Sequence, residues 1–308
     1  MRGKYTFKIA NNKICYEFEI IRSVTVIKGN SGTGKSTLIN LLSAYELYGR
    51  QSGIKCNANV KFTVFDNRTR WQQELTELKD TIIFADEHTE YILYDKQFAQ
   101  MLKESGNYLV VVTRGVLNLI PYSIQSIFEL KSDGGVVQLY RKYKEQIVSN
   151  NMIQTILCED ENSGYQMIRK VFPDANVYSA KGNSNVKNCI SNLQFDNLCV
   201  IVDGAAFGAY IQSVIDLRDL RAFTIFAPES FEYLLLKTKM FSRFLTDELS
   251  KTYKYSLSEE TFTWENYYTK LLMNLCKDKY GFEYTKSKLN THLENAAQIQ
   301  EIKTIILQ

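Results

Sequence analysis

The sequence Gly29-Asn30-Ser31-Gly32-Thr33-Gly34-Lys35-Ser36 decides the fold of the first half of the chain. An apolar run at residues 24–27 precedes it, and Thr37 continues it into a segment of helical character. The spacing G-x-x-x-x-G-K-[ST] between a strand and a helix indicates a phosphate-binding loop. Its glycines let successive backbone N–H groups converge on a phosphate, and the helix N-terminus adds its dipole. We expect residues 29–37 to bind a nucleotide, with Lys35 at the β- and γ-phosphates and Ser36 on Mg²⁺.

The composition is that of a folded protein, and the length predicts two domains. The chain has 308 residues, of which 45% are hydrophobic and 23% charged, and this excludes a disordered chain. A net charge of +3 permits nucleic-acid binding without requiring it. The six cysteines form no C-x-x-C pair, which favours reduced thiols over a zinc site. No apolar stretch approaches the ~20 residues of a membrane span, so we expect a cytoplasmic protein without membrane contact.

A second stretch with catalytic potential is the apolar run at residues 81–85, which ends in Asp86 and Glu87. In a parallel sheet the carboxyl ends of the strands open on the ligand crevice, which would place Asp86 beside the phosphate loop. Asp86 would then bind Mg²⁺, and Glu87 would polarise the water that attacks the γ-phosphate. Lys35 and Glu87 are therefore the predicted catalytic residues. The alternative is that the two acids cap a helix starting near Thr89.

A further strand is predicted at residues 108–112, and it leads into Thr113 and Arg114. One hypothesis places Arg114 on the γ-phosphate of its own nucleotide or that of a neighbouring subunit. The alternative is a solvated loop residue. Upstream, residues 5–10 and 13–21 alternate apolar and polar side chains around Asn11-Asn12, which is typical of a hairpin.

These motifs resemble the P-loop NTPases whose catalytic Glu directly follows the acidic strand end, the class that includes ABC-type and AAA-type ATPases. Residues 29–38 are most similar to the ABC version, as is the preceding hairpin. The resemblance implies Mg²⁺-dependent ATP binding and hydrolysis. No L-S-G-G-Q-like segment lies between Lys35 and Asp86, so a standard ABC sandwich dimer is not expected. No N/T-K-x-D guanine-reading motif is present either, which favours ATP.

The second half of the chain restarts with alternating strands and helices. Apolar runs at residues 155–158, 198–202 and 223–226 predict buried strands, and a helical segment follows the first of them. This alternation indicates a small parallel sheet. Acidic residues again follow the strands, with Glu159 after the first and Asp203 after the run that begins at residue 198.

The second half resembles a TOPRIM domain, the metal-binding fold of topoisomerases, primases and OLD-type nucleases. In that family a Glu follows the first strand and a D-x-D follows the third. Glu159 matches the Glu and Asp203 the first Asp, and the resemblance implies that both bind a metal ion. Ala205 stands in place of the second Asp, which makes a two-metal site doubtful. Glu161, Glu229 and Glu232 are further candidate ligands.

The predicted fold class is α/β, with a P-loop NTPase domain at residues 1–145, a smaller TOPRIM-like domain at 155–240 and C-terminal helices at 241–308. The arrangement is similar to a shortened OLD-type ATPase-TOPRIM protein. It implies ATP hydrolysis coupled to action on nucleic acid, as in phage defence. The alternative is an ATP-dependent switch whose inactive TOPRIM-like domain binds a protein partner. Either function would suit a homo-oligomer or a larger complex.

Overall fold

Two separate sheets organise the chain, one in each of two units. The computed structural model describes residues 1–30, 32–65, 70–143 and 153–307. Unit 1 contains Met1–Tyr143 and Lys251–Thr263, and unit 2 contains Lys144–Ser250 and Trp264–Gln308. The α/β class is confirmed. The sheet of unit 1 is mixed, however, and only that of unit 2 is entirely parallel.

The sheet of unit 1 has nine strands in the order β4-β1-β2-β9-β8-β3-β7-β6-β5. The strands are β1 (Tyr5–Ala10), β2 (Cys15–Ile20), β3 (Val24–Lys28), β4 (Lys55–Ala58), β5 (Lys61–Phe65), β6 (Thr81–Ala85), β7 (Tyr108–Val112), β8 (Ile127–Asp133) and β9 (Val136–Arg141). Strands β5, β6, β7, β3 and β8 are parallel to one another. The predicted hairpin of β1 and β2 is confirmed as an antiparallel pair.

The parallel strands of unit 1 have a topological switch point, because strands that follow β3 in the chain lie on both sides of it in the sheet. Every residue of β3, β6 and β7 is buried, as the apolar runs predict for strands covered on both faces. After β3 the chain adds β4 beside β1 at one edge of the sheet and crosses to β5 at the other edge. It then returns through β6 to β7 and places β8 on the other side of β3. In such sheets ligands bind outside the carboxyl ends of the strands at this switch point. The phosphate-loop sequence follows β3 and therefore lies there.

The helices of unit 1 are α1 (Lys35–Tyr48), α2 (Trp71–Glu77), α3 (Glu90–Leu93) and α4 (Lys96–Ser105). A single helix over residues 89–104 is the expectation from apolar spacing, but the structure divides it in two. The side chain of Asp95 accepts hydrogen bonds from the backbone N–H groups of Gln97 and Phe98 and so caps the N-terminus of α4. A strong N-cap in the middle of an apolar pattern starts a new helix.

The segment Lys251–Thr263 packs with unit 1, although the sequence suggests that it belongs to a C-terminal helical region. Its Ser258 donates from its backbone N–H to the carbonyl of Met1 at 2.9 Å. The amino group of Met1 in turn donates to Ser258 Oγ at 2.9 Å and to the carbonyl of Gly106 at 3.0 Å. These buried contacts tie the segment to the first residue of the chain.

The sheet of unit 2 has four parallel strands in the order β11-β10-β12-β13. The strands are β10 (Thr155–Cys158), β11 (Asn176–Ser179), β12 (Leu198–Ile201) and β13 (Phe223–Phe226). The chain starts at β10, adds β11 on one side and then moves to β12 on the other. The switch point of this sheet therefore lies between the carboxyl ends of β10 and β12.

Helices cover the sheet of unit 2 and continue to the C-terminus. They are α5 (Ser163–Val171), α6 (Val186–Asn192), α7 (Ile211–Ile215), α8 (Phe231–Lys237), α9 (Lys239–Ser242), α10 (Trp264–Tyr280) and α11 (Ala296–Leu307). C-terminal helices are thus confirmed, but residues 246–253, for which an α-helix is expected, form bends and turns that lead into the short 3₁₀ helix Thr252–Lys254. Within the described ranges, none of the helices has the length and apolar character that a bilayer-spanning segment needs.

Candidate functional site

The phosphate-loop sequence of unit 1 forms a tight turn between β3 and α1. Gly32 and Gly34 have φ angles of 82° and 89°, a region that L side chains rarely adopt. The backbone N–H of Leu38 donates to the carbonyl of Gly34 at 3.0 Å, which is the first hydrogen bond of the helix. Ser31 lies outside the described residues. The turn thus aims the N-terminus of α1 at the carboxyl edge of the sheet, where an anion is stabilised.

The ammonium of Lys35 lies inside this turn. It donates to the carbonyl oxygens of Gly29 and Asn30 at 2.6 and 2.8 Å, and Thr33 Oγ1 lies 3.3 Å away. Burial lowers the pKa of Lys35, the nearby Arg114 lowers it further, and Glu87 partly offsets both effects. A phosphate would restore the negative charge that this desolvated ammonium lacks. Lys35 thus lies within the loop, and its role toward a phosphate stays a prediction.

Tyr16 on β2 is hydrogen-bonded to the phosphate loop, a contact that the sequence does not indicate. Its hydroxyl donates to the carbonyl of Gly34 at 2.7 Å. A Cβ atom on Gly34 would lie 2.7 Å from the same hydroxyl oxygen, which is closer than real Cβ contacts. The glycine at this position is therefore required both by its φ angle and by the tyrosine.

Gly34→Ala is expected to destabilise unit 1 by about 2 kcal/mol, since it combines strain at positive φ with a steric clash. In the double variant Tyr16→Phe/Gly34→Ala, the clash is absent, and part of that loss should be recovered. Tyr16→Phe alone should cost only about 1 kcal/mol, the net value of its hydrogen bond. Urea unfolding of the four proteins measures this coupling. Strictly additive losses would contradict the proposed contact.

Asp86 and Glu87 lie at the carboxyl end of β6 as predicted, but they have different partners. Asp86 Oδ1 accepts from the backbone N–H of His88 at 2.9 Å, and the carbonyl of Asp86 accepts from that of Thr89 at 3.0 Å. Asp86 therefore caps the short turn Glu87–Thr89, which is the alternative role that the sequence allows. Its second carboxylate oxygen makes no hydrogen bond to any described residue, so capping leaves that oxygen available for a ligand.

Glu87 interacts with Arg114, which follows β7 in the sequence. Its Oε1 accepts from the backbone N–H of Arg114 at 3.1 Å and lies 3.3 Å from the guanidinium Nε. Both side chains are about half exposed, and exposed ion pairs contribute little to stability. Glu87 can therefore exchange this partner for a water molecule at low cost.

Mg²⁺ prefers hard oxygen ligands and in nucleotide sites takes one or two protein oxygens together with phosphate and water. The exposed hydroxyl of Ser36 at the start of α1 and the second oxygen of Asp86 supply one neutral and one anionic oxygen at the same sheet edge. This donor set fits Mg²⁺ bound with a nucleotide. A metal there would neutralise phosphate charge and polarise the phosphorus for attack.

An open cationic pocket of about 340 Å³ adjoins the loop. Its lining includes Lys28, Asn30, Thr33, Arg114, Glu129 and Lys142. Lys28 is only 8% exposed, and burial followed by repulsion from Lys142 lowers its pKa. Lys142 lies 3.5 Å from Glu129. The pocket thus carries an excess of positive charge that suits a polyphosphate, and its residues outside the loop sequence carry no local signal of this role.

In unit 2, Glu159 and Asp203 come together at the switch point between β10 and β12. Glu159 Oε2 accepts from the backbone N–H of Asp203 at 2.9 Å, and Asp203 Oδ1 accepts from that of Phe231 at 3.1 Å. Both carboxylates line a pocket of about 40 Å³. That volume holds a few water molecules but not a nucleotide.

Four residues from distant parts of the chain complete this acidic pocket. Glu232 on α8 is buried, and its Oε1 accepts from the hydroxyl of Tyr284 at 2.9 Å. The ammonium of Lys286 is hydrogen-bonded to Glu265 on α10 and lies 3.8 Å from Glu232 Oε1. Glu265, Tyr284 and Lys286 carry no sequence signal, since none of them follows a strand or belongs to a motif.

Burial and mutual repulsion perturb the two predicted metal ligands. Burial raises the pKa of Glu159 to about 7, and the charges of Glu265 and Asp160 add to the effect. Burial likewise raises the pKa of Asp203, with further contributions from Glu265, Glu159 and Glu232. Lys286 opposes both shifts. The pocket therefore contains more carboxyl groups than its one ammonium can balance, and burial favours their protonated forms.

The arrangement does not fit a divalent metal ion as it stands. Across the ranges that the structure describes, no group of three or more His, Cys, Asp and Glu side chains is placed to hold a metal ion. Ala205 is buried, and its backbone N–H donates to the carbonyl of Glu229 at 3.0 Å, so this turn adds no third carboxylate. Glu161 pairs with Lys181 at the surface at 3.3 Å. The ammonium of Lys286 lies near the carboxylates of Glu232 and Glu265 instead.

No protein-family model matches the sequence, and no match to it was found among curated proteins.

Proposed function

We propose that unit 1 binds Mg²⁺-ATP and hydrolyses it. The observation that carries the proposal is the convergence of three elements at one parallel-sheet edge: the loop around Lys35, the N-terminus of α1 and the Glu87–Arg114 pair. Electrostatic coupling of Lys35 to both Glu87 and Arg114 supports their proximity. A switch point with this charge pattern is the expected place for a nucleotide phosphate.

Each residue has a distinct role in this proposal. The backbone of residues 29–34 and the ammonium of Lys35 bind the phosphates, and Ser36 and Asp86 hold Mg²⁺. Glu87 leaves Arg114 and accepts a proton from the attacking water. Arg114 lines the phosphate pocket and stabilises negative charge on the transferring group.

Isothermal titration of the wild-type protein with ATP, ADP and GTP in the presence of Mg²⁺ tests binding, and phosphate release tests hydrolysis. We expect ATP to bind and to be hydrolysed in a Mg²⁺-dependent reaction. Absence of binding to all three nucleotides at millimolar concentration would overturn the proposal. Binding without phosphate release would retain the site and remove the hydrolase activity.

A second candidate function belongs to unit 2 and concerns nucleic acid. The convergence of Glu159 and Asp203 at a switch point favours ATP-gated nucleic-acid cleavage, in which both residues would bind metal. The ammonium of Lys286 in the same pocket favours the alternative, an ATP-dependent switch whose second unit binds a protein partner. We favour the switch, because a pocket of about 40 Å³ that already contains the ammonium of Lys286 has no room for a metal-bound phosphodiester.

A cleavage assay separates the two roles. Single- and double-stranded DNA and RNA are incubated with the wild-type protein and with the Glu159→Ala and Asp203→Ala variants, with Mg²⁺ or Mn²⁺ and with or without ATP. The switch predicts no cleavage under any of these conditions. Cleavage by the wild-type protein that both variants lose would establish a nuclease and overturn the switch.

A further inference from the structure

The cationic pocket of unit 1 extends from the phosphate loop to β8. Its lining on that side comes from the end of β3, from β8 and from the segment after β9: Lys28, Glu129, Leu130 and Lys142. The described lining of the pocket includes none of the side chains that we propose to act on Mg²⁺-ATP at its reacting end: Lys35, Ser36, Asp86 and Glu87. The β8 side of the pocket is therefore open to a ligand of its own.

Lys28 is a buried cation without a partner on this side of the pocket. It is the last residue of β3 and is only 8% exposed, and its ammonium makes no hydrogen bond or ion pair with any residue that the structure describes. Glu129 is its neighbour on β8 in the parallel register, but the carboxylate of Glu129 lies 3.5 Å from the ammonium of Lys142 instead. Leaving a buried ammonium unpaired costs free energy, which a bound anion recovers.

The position of Lys142 is fixed by its backbone. Its N–H donates to the carbonyl of Ile127 at the start of β8 at 2.9 Å. The side chains of Glu129 and Lys142 are 35% and 27% exposed, so their ion pair is mostly shielded from solvent. Because Glu129 pairs with Lys142, it leaves the charge of Lys28 uncompensated. Counting Arg114, the lining contains three cations and one acid.

We infer that Lys28, together with Lys142, binds a phosphate group on the β8 side of this pocket, at a site additional to the one proposed for the phosphates of ATP. The ligand is inorganic phosphate or the phosphate end of a small monoester, since the volume of about 340 Å³ is in the range of small-molecule pockets. Phosphate oxygens would accept the hydrogen bonds that the ammonium of Lys28 does not make within the protein.

Isothermal titration with inorganic phosphate tests this site in EDTA and without nucleotide, so its result is independent of ATP binding and hydrolysis. The proteins are the wild type, Lys28→Met, Lys35→Ala and the double variant Lys28→Met/Lys35→Ala. We expect the wild type and Lys35→Ala to bind phosphate with equal affinity, because the ammonium of Lys35 is hydrogen-bonded within the loop. Both proteins that carry Lys28→Met should bind it at least about 10-fold more weakly, having lost a charge-assisted hydrogen bond.

Lys131→Met is the matched control, because Lys131 is an exposed residue of β8 outside the described lining of the pocket. It changes the net charge by the same amount and should bind phosphate like the wild type. Thermal unfolding gives a second readout. Without phosphate, Lys28→Met should melt no lower than the wild type, because it removes a buried charge that has no partner. Phosphate should raise the melting temperature of the wild type but not that of Lys28→Met.

Glycerol phosphate, titrated in place of inorganic phosphate, distinguishes the two sources of the ligand. Tighter binding of the ester by the wild type would identify a phosphorylated small molecule. Tighter binding of inorganic phosphate would identify the free ion. In both cases Lys28→Met should weaken the preferred ligand.

Three results would overturn the inference. The first is a wild type that binds neither phosphate compound at millimolar concentration. The second is a folded Lys28→Met protein with wild-type phosphate affinity. The third is a loss of affinity in Lys35→Ala as large as that in Lys28→Met, which would place the phosphate in the loop.

Lys142→Met keeps the inference testable if Lys28→Met does not fold. Without Lys142, the carboxylate of Glu129 loses its partner and can pair with Lys28, its neighbour in the register. Phosphate affinity should then fall at least about 10-fold, because the site loses one ammonium and the second is neutralised. Unchanged affinity in a folded Lys142→Met protein would also overturn the inference.

Discussion

The Lys35→Ala variant is expected to lose Mg²⁺-ATP binding, with a dissociation constant raised at least about 100-fold. In the wild type, the ammonium of Lys35 lies inside the loop where the phosphates would enter. It is 2.6 Å from the carbonyl oxygen of Gly29 and 2.8 Å from that of Asn30. Truncating one partner of a desolvated, hydrogen-bonded charge pair costs roughly 3 kcal/mol, which corresponds to about two orders of magnitude in affinity. Isothermal titration with ATP and Mg²⁺ measures the change.

Lys8→Ala is the control for this prediction. Lys8 is an exposed residue of β1 that pairs with Glu17 at 2.8 Å, so its removal changes the net charge by the same amount without touching the loop. It should bind ATP like the wild type. Circular dichroism and thermal unfolding of both variants distinguish lost binding from lost structure. Wild-type affinity in a folded Lys35→Ala protein would refute the nucleotide site.

Short-range signals predicted most of the elements that position the loop. The apolar runs of β3, β6 and β7 are buried strands, and α1 ends at Tyr48, directly before Gly49. Each of these features depends on residues within a few positions of one another. Asp95 is a strong N-cap, so the sequence does contain a signal for the division between α3 and α4. The apolar spacing continues across the break, however, and predicts a single helix.

Long-range pairing could not be predicted in the same way. The order of the nine strands follows from which apolar faces meet, and the sequence does not specify this. The contact of Met1 with Ser258 joins residues 257 positions apart, so nothing near either residue indicates it. Residues 246–253 contain charged and apolar side chains in a mixture compatible with an α-helix, but the structure has turns there, followed by the 3₁₀ helix Thr252–Lys254.

The two candidate sites also differ in how far apart their residues lie in the sequence. In unit 1 the loop and the Asp86-Glu87 pair are each contiguous in sequence, and their combination is predictable because parallel strands end at one edge. In unit 2 the sequence indicates Glu159 and Asp203, each of which follows a strand, and offers Glu161, Glu229 and Glu232 only as further candidates. Lys286, which changes the chemistry of that pocket, belongs to a segment without regular secondary structure. A resemblance based on acidic residues alone therefore overstates the case for a metal ion.

Glu87→Gln is expected to bind Mg²⁺-ATP like the wild type and to hydrolyse it about 10²- to 10⁴-fold more slowly. The amide oxygen of glutamine can still accept from the backbone N–H of Arg114, as Glu87 Oε1 does at 3.1 Å, so the loop after β7 keeps its support. The amide cannot accept a proton from water. A loss confined to the catalytic rate, with unchanged affinity, therefore identifies an interaction made only in the transition state.

Single-turnover phosphate release and isothermal titration separate these two effects. Glu104→Gln is the matched control, because Glu104 is an exposed residue of α4 whose carboxylate accepts from Gln100 at 2.9 Å. It should hydrolyse ATP at the wild-type rate. If Glu87→Gln retained that rate as well, the proton acceptor would be a different group. Asp86, whose second oxygen has no hydrogen-bond partner among the described residues, would be the next to test, since Asp86→Asn would then impair both Mg²⁺-dependent binding and hydrolysis.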